Sequence, residues 1–291
     1  MTRPVIMTTN TNTVDFKQQE HDSWASAADG WGRRDELLRK GAAPVTERML
    51  ELAGIAPGQR VLDIASGTGE PAISAARAVG ENGSVIGTDL ADEMLAYARR
   101  KADSEGLDNI EFQCVDGETL TVGEDIFDAV TIRWGLMFMP QPLTCMALAH
   151  RALQTGGRIS VACWAAPEKN PFISLLTQTL GLYMDLPKPP PGAPGIFSMA
   201  DPDRLCDVLE SAGFINITIE EMEITMVEVE DGLAYWEVMS DLAAPVMRLV
   251  RQLDDNTRDA FINKVIETAN AEKTAGRLRM QGTTWIAAAE K

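Results

Sequence analysis

Short runs rich in β-branched residues alternate with amphipathic stretches between Gln59 and Trp164. The amphipathic stretches include 71–79, which Gly80 ends, and 92–101, which is acidic in its first turn and basic in its last. This alternation predicts a parallel sheet with helices on its faces. The predicted strands are Val61–Ile64, Ser84–Thr88, Ile110–Val115, Phe127–Arg133 and Arg158–Trp164.

The regions on either side of this alternation follow other patterns. Seven prolines interrupt the chain between Pro167 and Pro194, which indicates a flap over the sheet. Pro245 lies inside the apolar stretch Leu233–Leu253, so this predicted helix must kink or divide. The other predicted elements are helices at Trp24–Arg39, Pro44–Ala53, Phe172–Met184 and 202–212, and strands at Ile215–Val229 and Thr283–Ala289. The predicted domains are a tail and helical cap (1–45), a ligand-binding core (46–166), and a lid insert with C-terminal strands that complete the same sheet (167–291).

Composition narrows the classes of function. The chain has 291 residues, of which 45% are hydrophobic, enough for a sizeable core. Its 43 acidic and 26 basic residues give a net charge of −17, and a surface of that sign repels nucleic acids and anionic lipids. No stretch reaches the roughly 18 apolar residues of a membrane span, and the start lacks the apolar block of a secretory signal. We expect a cytoplasmic protein with a small-molecule substrate, no nucleic-acid partner and no stable membrane insertion.

The four cysteines are scattered at wide spacings, without a C-x-x-C pair or an adjacent histidine. That distribution removes the usual signatures of zinc, iron–sulfur and redox sites. We expect reduced thiols inside the fold and no metal.

The turn after the first predicted strand has the sequence DIASGTGEPA over 63–72. Small residues let the backbone pass close to a ligand, and a helix that begins near Pro71 presents unpaired N–H groups to it. Asp89 ends the second predicted strand, 20 residues after Gly69, where a carboxylate can accept hydrogen bonds from both ribose hydroxyls of an adenosine. Together these features predict a nucleoside site.

Two further acids help to distinguish the nucleoside cofactors that this pattern allows. The glycine turn with Asp89 also fits a dinucleotide fingerprint. Asp63, in the strand before the turn, would lie near a pyrophosphate, whereas a carboxylate there suits an ammonium or sulfonium group. Asp116, after the third strand, can accept a hydrogen bond from an adenine amino group, and the next backbone N–H, that of Gly117, can meet a ring nitrogen. Both acids favour a sulfonium nucleoside over NAD.

Five segments of the chain, in order, carry a resemblance to a known family: VLDIASGTGEPA, GTDLADEML, VDGE, FDAVTIRWGLMF and GGRISVACW. They resemble the UbiE-type methyltransferases of quinone biosynthesis and their secondary-metabolite relatives, strongly over Val61–Trp164. The resemblance implies a class I methyltransferase that uses S-adenosyl-L-methionine (SAM) and releases S-adenosyl-L-homocysteine (SAH). It also implies an α/β fold with a Rossmann-like, seven-stranded, mostly parallel sheet and an antiparallel last strand. Helices on both faces, an N-terminal helical cap and a C-terminal helical lid complete this expected fold.

The resemblance also implies roles for individual residues in the SAM-binding core. Carried over from the family, these are Ser66, Gly67 and Gly69 for the methionine end, Asp89 for the ribose, Asp116 for the adenine, and Leu90 and Met94 beside the adenosine. The full set of expected cofactor-binding residues also includes Asp63, Ala65, Gly117, Glu118 and Arg133. Ala65 is a departure, because most class I members have glycine there, although the UbiE branch often carries alanine.

Three residues are candidates for the chemical step. Arg133 and Trp134 follow the fourth strand at the carboxyl edge, where open α/β sheets bind ligands, and we expect both to line the methyl-transfer site. Core packing is the alternative for Trp134. His21 is the candidate base, because in the family the N-terminal helix closes over the cofactor, with a solvated helix start as its alternative. The other histidine, His150, is expected in the core or at a helix end. SAM is already activated, so a base is optional.

The flap and the kinked helix supply bulky apolar side chains that suit an aromatic, quinone-like or isoprenoid acceptor. They are Phe172, Leu176, Tyr183, Met184, Phe197, Tyr235, Trp236, Met239 and Met247. Each can equally pack the lid on the sheet. Two other functions fit parts of the pattern: a SAM-binding cyclase or decarboxylase that transfers no methyl group, and an NAD-dependent oxidoreductase. The methylated atom and the assembly stay open, with a homodimer as one alternative.

Overall fold

Seven strands form one mixed sheet in the computed structural model, which describes residues 11–186, 190 and 192–291. The strands are β1 (Arg60–Ile64), β2 (Ser84–Asp89), β3 (Ile110–Cys114), β4 (Phe127–Arg133), β5 (Leu153–Trp164), β6 (Ile215–Val229) and β7 (Leu278–Glu290). Their order across the sheet is β3-β2-β1-β4-β5-β7-β6. β7 pairs antiparallel with β5 and β6, and the pairs among β1 to β5 are parallel. The mostly parallel sheet with an antiparallel last strand is therefore confirmed.

The helices of the described residues are α1 (Thr11–Arg33), α2 (Asp35–Leu52), α3 (Ala72–Val79), α4 (Asp92–Ser104), α5 (Pro142–Ala152), α6 (Pro171–Leu180), α7 (Pro202–Ser211), α8 (Gly232–Leu242), α9 (Ala244–Val250) and α10 (Asp255–Ala271). Three of them begin at aspartates whose side chains accept a backbone N–H of the first turn, namely Asp201, Asp231 and Asp254. The break at Ala243 between α8 and α9 confirms the division expected near Pro245.

Helices cover both faces of the sheet. Successive side chains of a strand point to opposite faces, and neighbouring residues of β1 belong to different apolar clusters. Val61 packs in a cluster with Ala76 of α3 and Leu95 of α4. Leu62 packs in the larger cluster, which includes Met146 of α5. No helix within the described residues combines the length and apolar character that crossing a bilayer requires.

The sheet order places a crevice beside β1. From β1 the chain moves outward to β2 and β3, whereas from β4 it moves in the other direction, to β5. Such a reversal leaves a crevice at the carboxyl ends of the two central strands, and open α/β sheets bind ligands there. The loops after β1, β2, β3 and β4 all reach this edge.

Two sequence-based expectations for the N-terminal region differ from the structure. The predicted helices Trp24–Arg39 and Pro44–Ala53 are instead α1 and α2, and Pro44 lies inside α2. A proline in a helix removes one hydrogen bond, but the burial of Val45 and Met49 against the core outweighs that loss. The expected tail at the start of the chain falls largely on residues 1–10, outside the described residues.

Candidate functional site

A cavity of about 150 Å³, partly open to solvent, lies at the carboxyl edge of the sheet. The sheet edge contributes Ile64–Thr68, Glu70, Asp89, Leu90, Met94, Val115–Glu118, Arg133–Gly135 and Phe138–Pro140. Helix α1 contributes Phe16, Lys17, Glu20, Trp24 and Trp31. Most of the residues expected to bind a cofactor thus meet in one cavity, together with α1 side chains for which no role was predicted.

The glycine turn after β1 is tied to the end of β2. Gly67 has a φ of +53°, in the left-handed region that favours glycine. Its N–H donates to Asp89 Oδ2 at 2.8 Å, and the N–H of Ala91 donates to Oδ1 at 3.0 Å. Burial raises the pKa of Asp89, while these backbone N–H groups lower it in part. Asp89 therefore orders the turn and also lines the cavity, and its ribose-binding role stays a prediction.

Two residues that were expected to bind the cofactor, Asp63 and Gly69, lie beneath the turn and do not line the cavity. The carboxylate of Asp63 is fully buried, and its Oδ1 accepts from Thr131 Oγ1 at 2.6 Å. Burial raises the pKa of Asp63 to about 6, although the hydrogen bond from Thr131 opposes the shift. A Cβ at Gly69 would lie 2.6 Å from Cδ1 of Ile73, so this glycine permits close packing under the turn.

The acids after β3 meet a lysine from α1. Lys17 Nζ lies 2.5 Å from Asp116 Oδ2 and 2.5 Å from Glu118 Oε2. Burial lowers the pKa of Lys17, but hydrogen bonds and ion pairs with the two acids raise it overall. The N–H of Glu118 donates to Asp116 Oδ1 at 2.8 Å, and Glu118 Oε1 accepts from the N–H of Gln141 at 2.5 Å. Both acids, with Gly117, line the cavity, and their role at the adenine stays a prediction.

Arg133 and Trp134 lie side by side on the opposite part of the lining. Arg133 donates to Thr46 Oγ1 of α2 at 2.5 Å, and burial lowers the pKa of its guanidinium. The guanidinium carbon lies 5.0 Å from the ring centroid of Trp134. The indole of Trp134 stacks on Trp164 with centroids 4.1 Å apart, and its N–H donates to Thr284 Oγ1 at 3.1 Å. Trp134 therefore lines the cavity and packs in the core at the same time.

The two histidines lie away from the cavity lining. His21 is half-buried on α1, with Nδ1 3.2 Å from Asp22 Oδ1, so its predicted role as a base stays a prediction without structural support. His150 lies in the last turn of α5, its ring edge-on to Phe214 at 5.0 Å, which matches a helix-end position. Glu20, one residue before His21, does line the cavity, and burial raises the pKa of its carboxyl.

Helix α1 forms one wall of the cavity through residues that share a helical face. Lys17, Glu20, Trp24 and Trp31 are separated by three, four and seven positions, which places them on one side of a helix. Trp24 packs edge-on to Phe138, with ring centroids 5.2 Å apart. This spacing is visible in the sequence and could have identified the wall.

The C-terminal end of α1 is fixed by ion pairs to α8. Arg33 and Arg34 donate to the two carboxylate oxygens of Asp241, at 2.6 and 2.7 Å. The indole N–H of Trp31 donates to the carbonyl of Leu242 at 3.4 Å. These contacts hold α1 over the sheet edge.

The predicted lid segment packs as core rather than against this cavity. The hydroxyl of Tyr235 donates to the carbonyl of Phe172 at 2.9 Å, and Trp236 meets Phe261 of α10 edge-on at 5.8 Å. None of the described residues from 164 to 291 lines the cavity. Ser198 Oγ donates to the carbonyl of Met137 at 2.6 Å, next to the lining. A lid role for 167–291 therefore stays a prediction.

The packing of Trp236 allows a test of that lid role. Trp236→Ala is expected to lower the free energy of unfolding by about 2 kcal/mol, less than a fully buried aromatic would cost, because the contact with Phe261 is lost. Urea denaturation measures this loss. Affinity for SAM should stay within about twofold, as for a residue outside the site. Unchanged stability with a raised Michaelis constant for the acceptor would instead place Trp236 at the substrate.

The described residues contain no group of three or more His, Cys, Asp or Glu side chains placed to hold a metal ion.

The fold and the cavity define an α/β protein with a ligand site at the crevice of a mostly parallel sheet. The model of the ubiE/COQ5 methyltransferase family matches residues 45–187.

Two curated relatives show how far the sequence likeness extends. UbiE, the ubiquinone/menaquinone biosynthesis C-methyltransferase, of Teredinibacter turnerae is 37% identical over 135 residues, which cover 46% of this chain and about half (53%) of that protein. UbiE of Pseudomonas putida is 30% identical over 223 residues, covering 72% of this chain and 86% of the relative. The chain belongs to the ubiE/COQ5 methyltransferase family.

Two solved structures share the fold over most of the chain. The [4+2]-cyclase SpnF has a TM-score of 0.56 at 18% identity, covering 92% of this chain and 96% of that one. The YcgJ protein of Bacillus subtilis has a TM-score of 0.54 at 18% identity, covering 86% and 99%. Likeness at this level of identity concerns the fold alone, and it confirms the predicted Rossmann-like architecture.

Proposed function

We propose that this chain transfers the methyl group of SAM to a small, largely apolar acceptor. The observation that carries the proposal is one cavity that joins the glycine turn, Asp89 at the end of β2 and Asp116 after β3, in a member of the ubiE/COQ5 family. The names of the relatives, as C-methyltransferases of ubiquinone and menaquinone biosynthesis, support a quinone-like acceptor and carbon as the methylated atom.

The charges at the turn fit a cationic cofactor better than NAD. Glu70 lines the cavity with a side chain only 6% exposed, and Asp63 lies buried beneath the same turn. A pyrophosphate at this turn would be repelled by two carboxylates, whereas a sulfonium and an ammonium group would be attracted. This arrangement supports SAM and disfavours the dinucleotide alternative.

SAM supplies an electrophilic methyl group, and the residues of the chain would hold and shield it. The carboxylate of Asp89 would accept hydrogen bonds from the ribose hydroxyls. Asp116 would accept from the adenine amino group, and Lys17 would have to yield part of its contact with that acid. Trp24 and Trp31 of α1 would exclude water from the cavity, which strengthens every polar contact inside it.

The acceptor would lie where the lining is mostly aromatic and apolar. Trp134, Phe138 and Met139 form this part of the wall. Glu20 faces the same cavity from α1, and its burial keeps a carboxyl there that takes up protons more readily than an exposed one. We assign to Glu20, instead of His21, the removal of the acceptor's proton.

Asp89→Ala is expected to weaken SAM binding by about 1.5–3 kcal/mol, the usual loss for a hydrogen bond to a charged group. Calorimetry on the folded variant measures it. The matched control is Asp92→Ala, which removes an exposed carboxylate on α4 that pairs with Arg99 and does not line the cavity. Its SAM affinity should stay near that of the unaltered chain. An unchanged dissociation constant for Asp89→Ala would remove the ribose assignment.

Release of SAH distinguishes methyl transfer from binding without transfer. The cyclase SpnF shares the fold, so the fold alone does not require methyl transfer. Incubation with methyl-labelled SAM and a panel of quinones and phenols should give labelled product and an equal amount of SAH. Tight SAM binding without SAH release across the panel would favour a cyclase or decarboxylase.

A further inference from the structure

Glu70 is a buried acid for which neither the motif nor the family likeness provided a role. It lies between Gly69 and Pro71, just before α3, and the residue is only 7% exposed. Its Oε2 accepts from the N–H of Ser74 at 3.2 Å. Within the part of the chain that the structure describes, no donor forms a hydrogen bond with Oε1. A buried carboxylate oxygen without a donor is costly, and the residue that carries it, Glu70, belongs to the cavity lining.

The cations nearest to Glu70 are each closer to another acid. Oε1 lies 3.7 Å from Arg77 and 4.0 Å from Lys101, both beyond hydrogen-bond distance. Arg77 lies 2.5 Å from Glu105, and Lys101 lies 3.0 Å from Asp35. Oε1 of Glu70 therefore lies near two cations but accepts a hydrogen bond from neither.

Arg133 supplies the opposite charge in the same lining. The charge of Glu70 raises the pKa of the Arg133 guanidinium, against the effect of burial. The guanidinium has five N–H donors, and Thr46 accepts from one of its nitrogens. A carboxylate and a guanidinium in one cavity match a ligand that carries both an ammonium and a carboxylate group.

We propose that Glu70 binds the α-ammonium group of the methionine end of SAM, while Arg133 binds its α-carboxylate. This inference rests on the proposed function. Asp63, to which the motif assigned the cationic end, does not reach the cavity, and its Oδ1 is engaged by Thr131. Glu70 is the acid of this turn that lines the cavity.

A series of ligands tests the assignment on the full chain. The probes are SAH, SAH without its amino group, SAH without its carboxylate, and 5′-methylthioadenosine, which lacks the amino-acid end. Glu70→Gln keeps an acceptor for the N–H of Ser74 but removes the charge. It should weaken SAH and decarboxylated SAH by roughly 10- to 100-fold in calorimetry, as expected for a charged hydrogen bond. Deaminated SAH and methylthioadenosine should change by less than about twofold.

Arg133→Gln should give the complementary selectivity. SAH and deaminated SAH, which keep the carboxylate, should bind roughly 10-fold or more weakly, and decarboxylated SAH should change little. The matched control for Glu70 is Glu105→Gln, which removes the other acid beside Arg77 and lies outside the lining. All four probes should bind this control as they bind the unaltered chain.

Each outcome decides between named alternatives. If Glu70→Gln loses affinity for SAH and for methylthioadenosine equally, the substitution has damaged the turn and the assignment is overturned. An unchanged affinity for SAH in this variant would also overturn it. If Glu70→Gln does not fold, the unaltered chain decides, because equal affinities for SAH and deaminated SAH exclude an ammonium site. If the unaltered chain binds neither SAM nor SAH, the proposed function itself fails. Binding of SAH without the expected selectivity removes the role of Glu70 alone.

Discussion

Gly135→Ala is expected to lower the free energy of unfolding by about 3 kcal/mol and to abolish SAM binding, because the added methyl group cannot be accommodated. A Cβ at residue 135 would lie 2.3 Å from the Cβ of Ala65, closer than carbon atoms approach. Gly135 has an ordinary φ of −98°, so the cost comes from the contact rather than from the backbone. Both residues line the cavity, Ala65 after β1 and Gly135 after β4. Urea denaturation and calorimetry measure the two losses.

A second substitution should restore the stability that Gly135→Ala removes. In Gly135→Ala/Ala65→Gly, the nearest atoms to the new methyl group are Cγ2 of Ile132 at 3.5 Å and Cα of residue 65 at 3.8 Å, which are ordinary contacts. Ala65→Gly alone should be nearly neutral, because relief of its φ of +61° is offset by greater freedom of the unfolded chain. The double-mutant cycle should therefore give a coupling energy of about 2–3 kcal/mol. A double variant as unstable as Gly135→Ala would mean that the two turns are not in contact.

This pair explains the departure of Ala65 from the usual glycine. The motif shows an alanine at a left-handed position but cannot show what faces it. The structure places Gly135, 70 positions later, against that methyl group. The extra carbon of Ala65 is accommodated because the opposite turn lacks a side chain.

Local patterns predicted the strands of the sheet well but left the helices α5 and α10 unassigned. A strand that is buried on both faces gives a short β-branched run, as in Phe127–Arg133, whose predicted and observed bounds agree. No element was expected over α10, although its signals are present in the sequence. Asp254 caps its start, and Phe261, Val265 and Ala269 recur every four positions. The sequence predicted that a helix begins at Pro44, but tertiary packing keeps α2 continuous across this proline.

The candidate site was predictable where it depends on strand ends and not where it depends on distant contacts. Parallel strands bring their carboxyl ends to one edge, so Asp89 and Asp116 had to approach each other. The direction of Asp63 was not foreseen. Its side chain points to the same face as Val61, into the packing of the sheet. The contact between Lys17 and Asp116 joins residues 99 positions apart, and no local pattern encodes it.

Asp63→Asn is expected to change how stability depends on pH. Burial raises the pKa of Asp63 to about 6 in the folded chain, against about 3.9 for an unfolded aspartate. The folded state therefore holds the proton more tightly than the unfolded state. The protonated Asp63 therefore stabilises the folded state. This stabilisation is complete below about pH 4, is lost as the pH rises to about 6, and stays lost above it. Over this window the loss amounts to roughly 3 kcal/mol for a shift of about two pH units.

The Asp63→Asn variant lacks this titration, so its stability relative to the unaltered chain should rise by roughly 3 kcal/mol between pH 4 and pH 7. Urea denaturation of both chains at each pH measures the difference, in which the other titrating groups cancel. Thr131→Val is the companion variant, because it removes the hydroxyl that donates to Asp63 Oδ1 and so raises the pKa further. For Thr131→Val, the loss of stability should extend above pH 6. A difference between Asp63→Asn and the unaltered chain that stays constant from pH 4 to pH 7 would mean that Asp63 is ionised throughout.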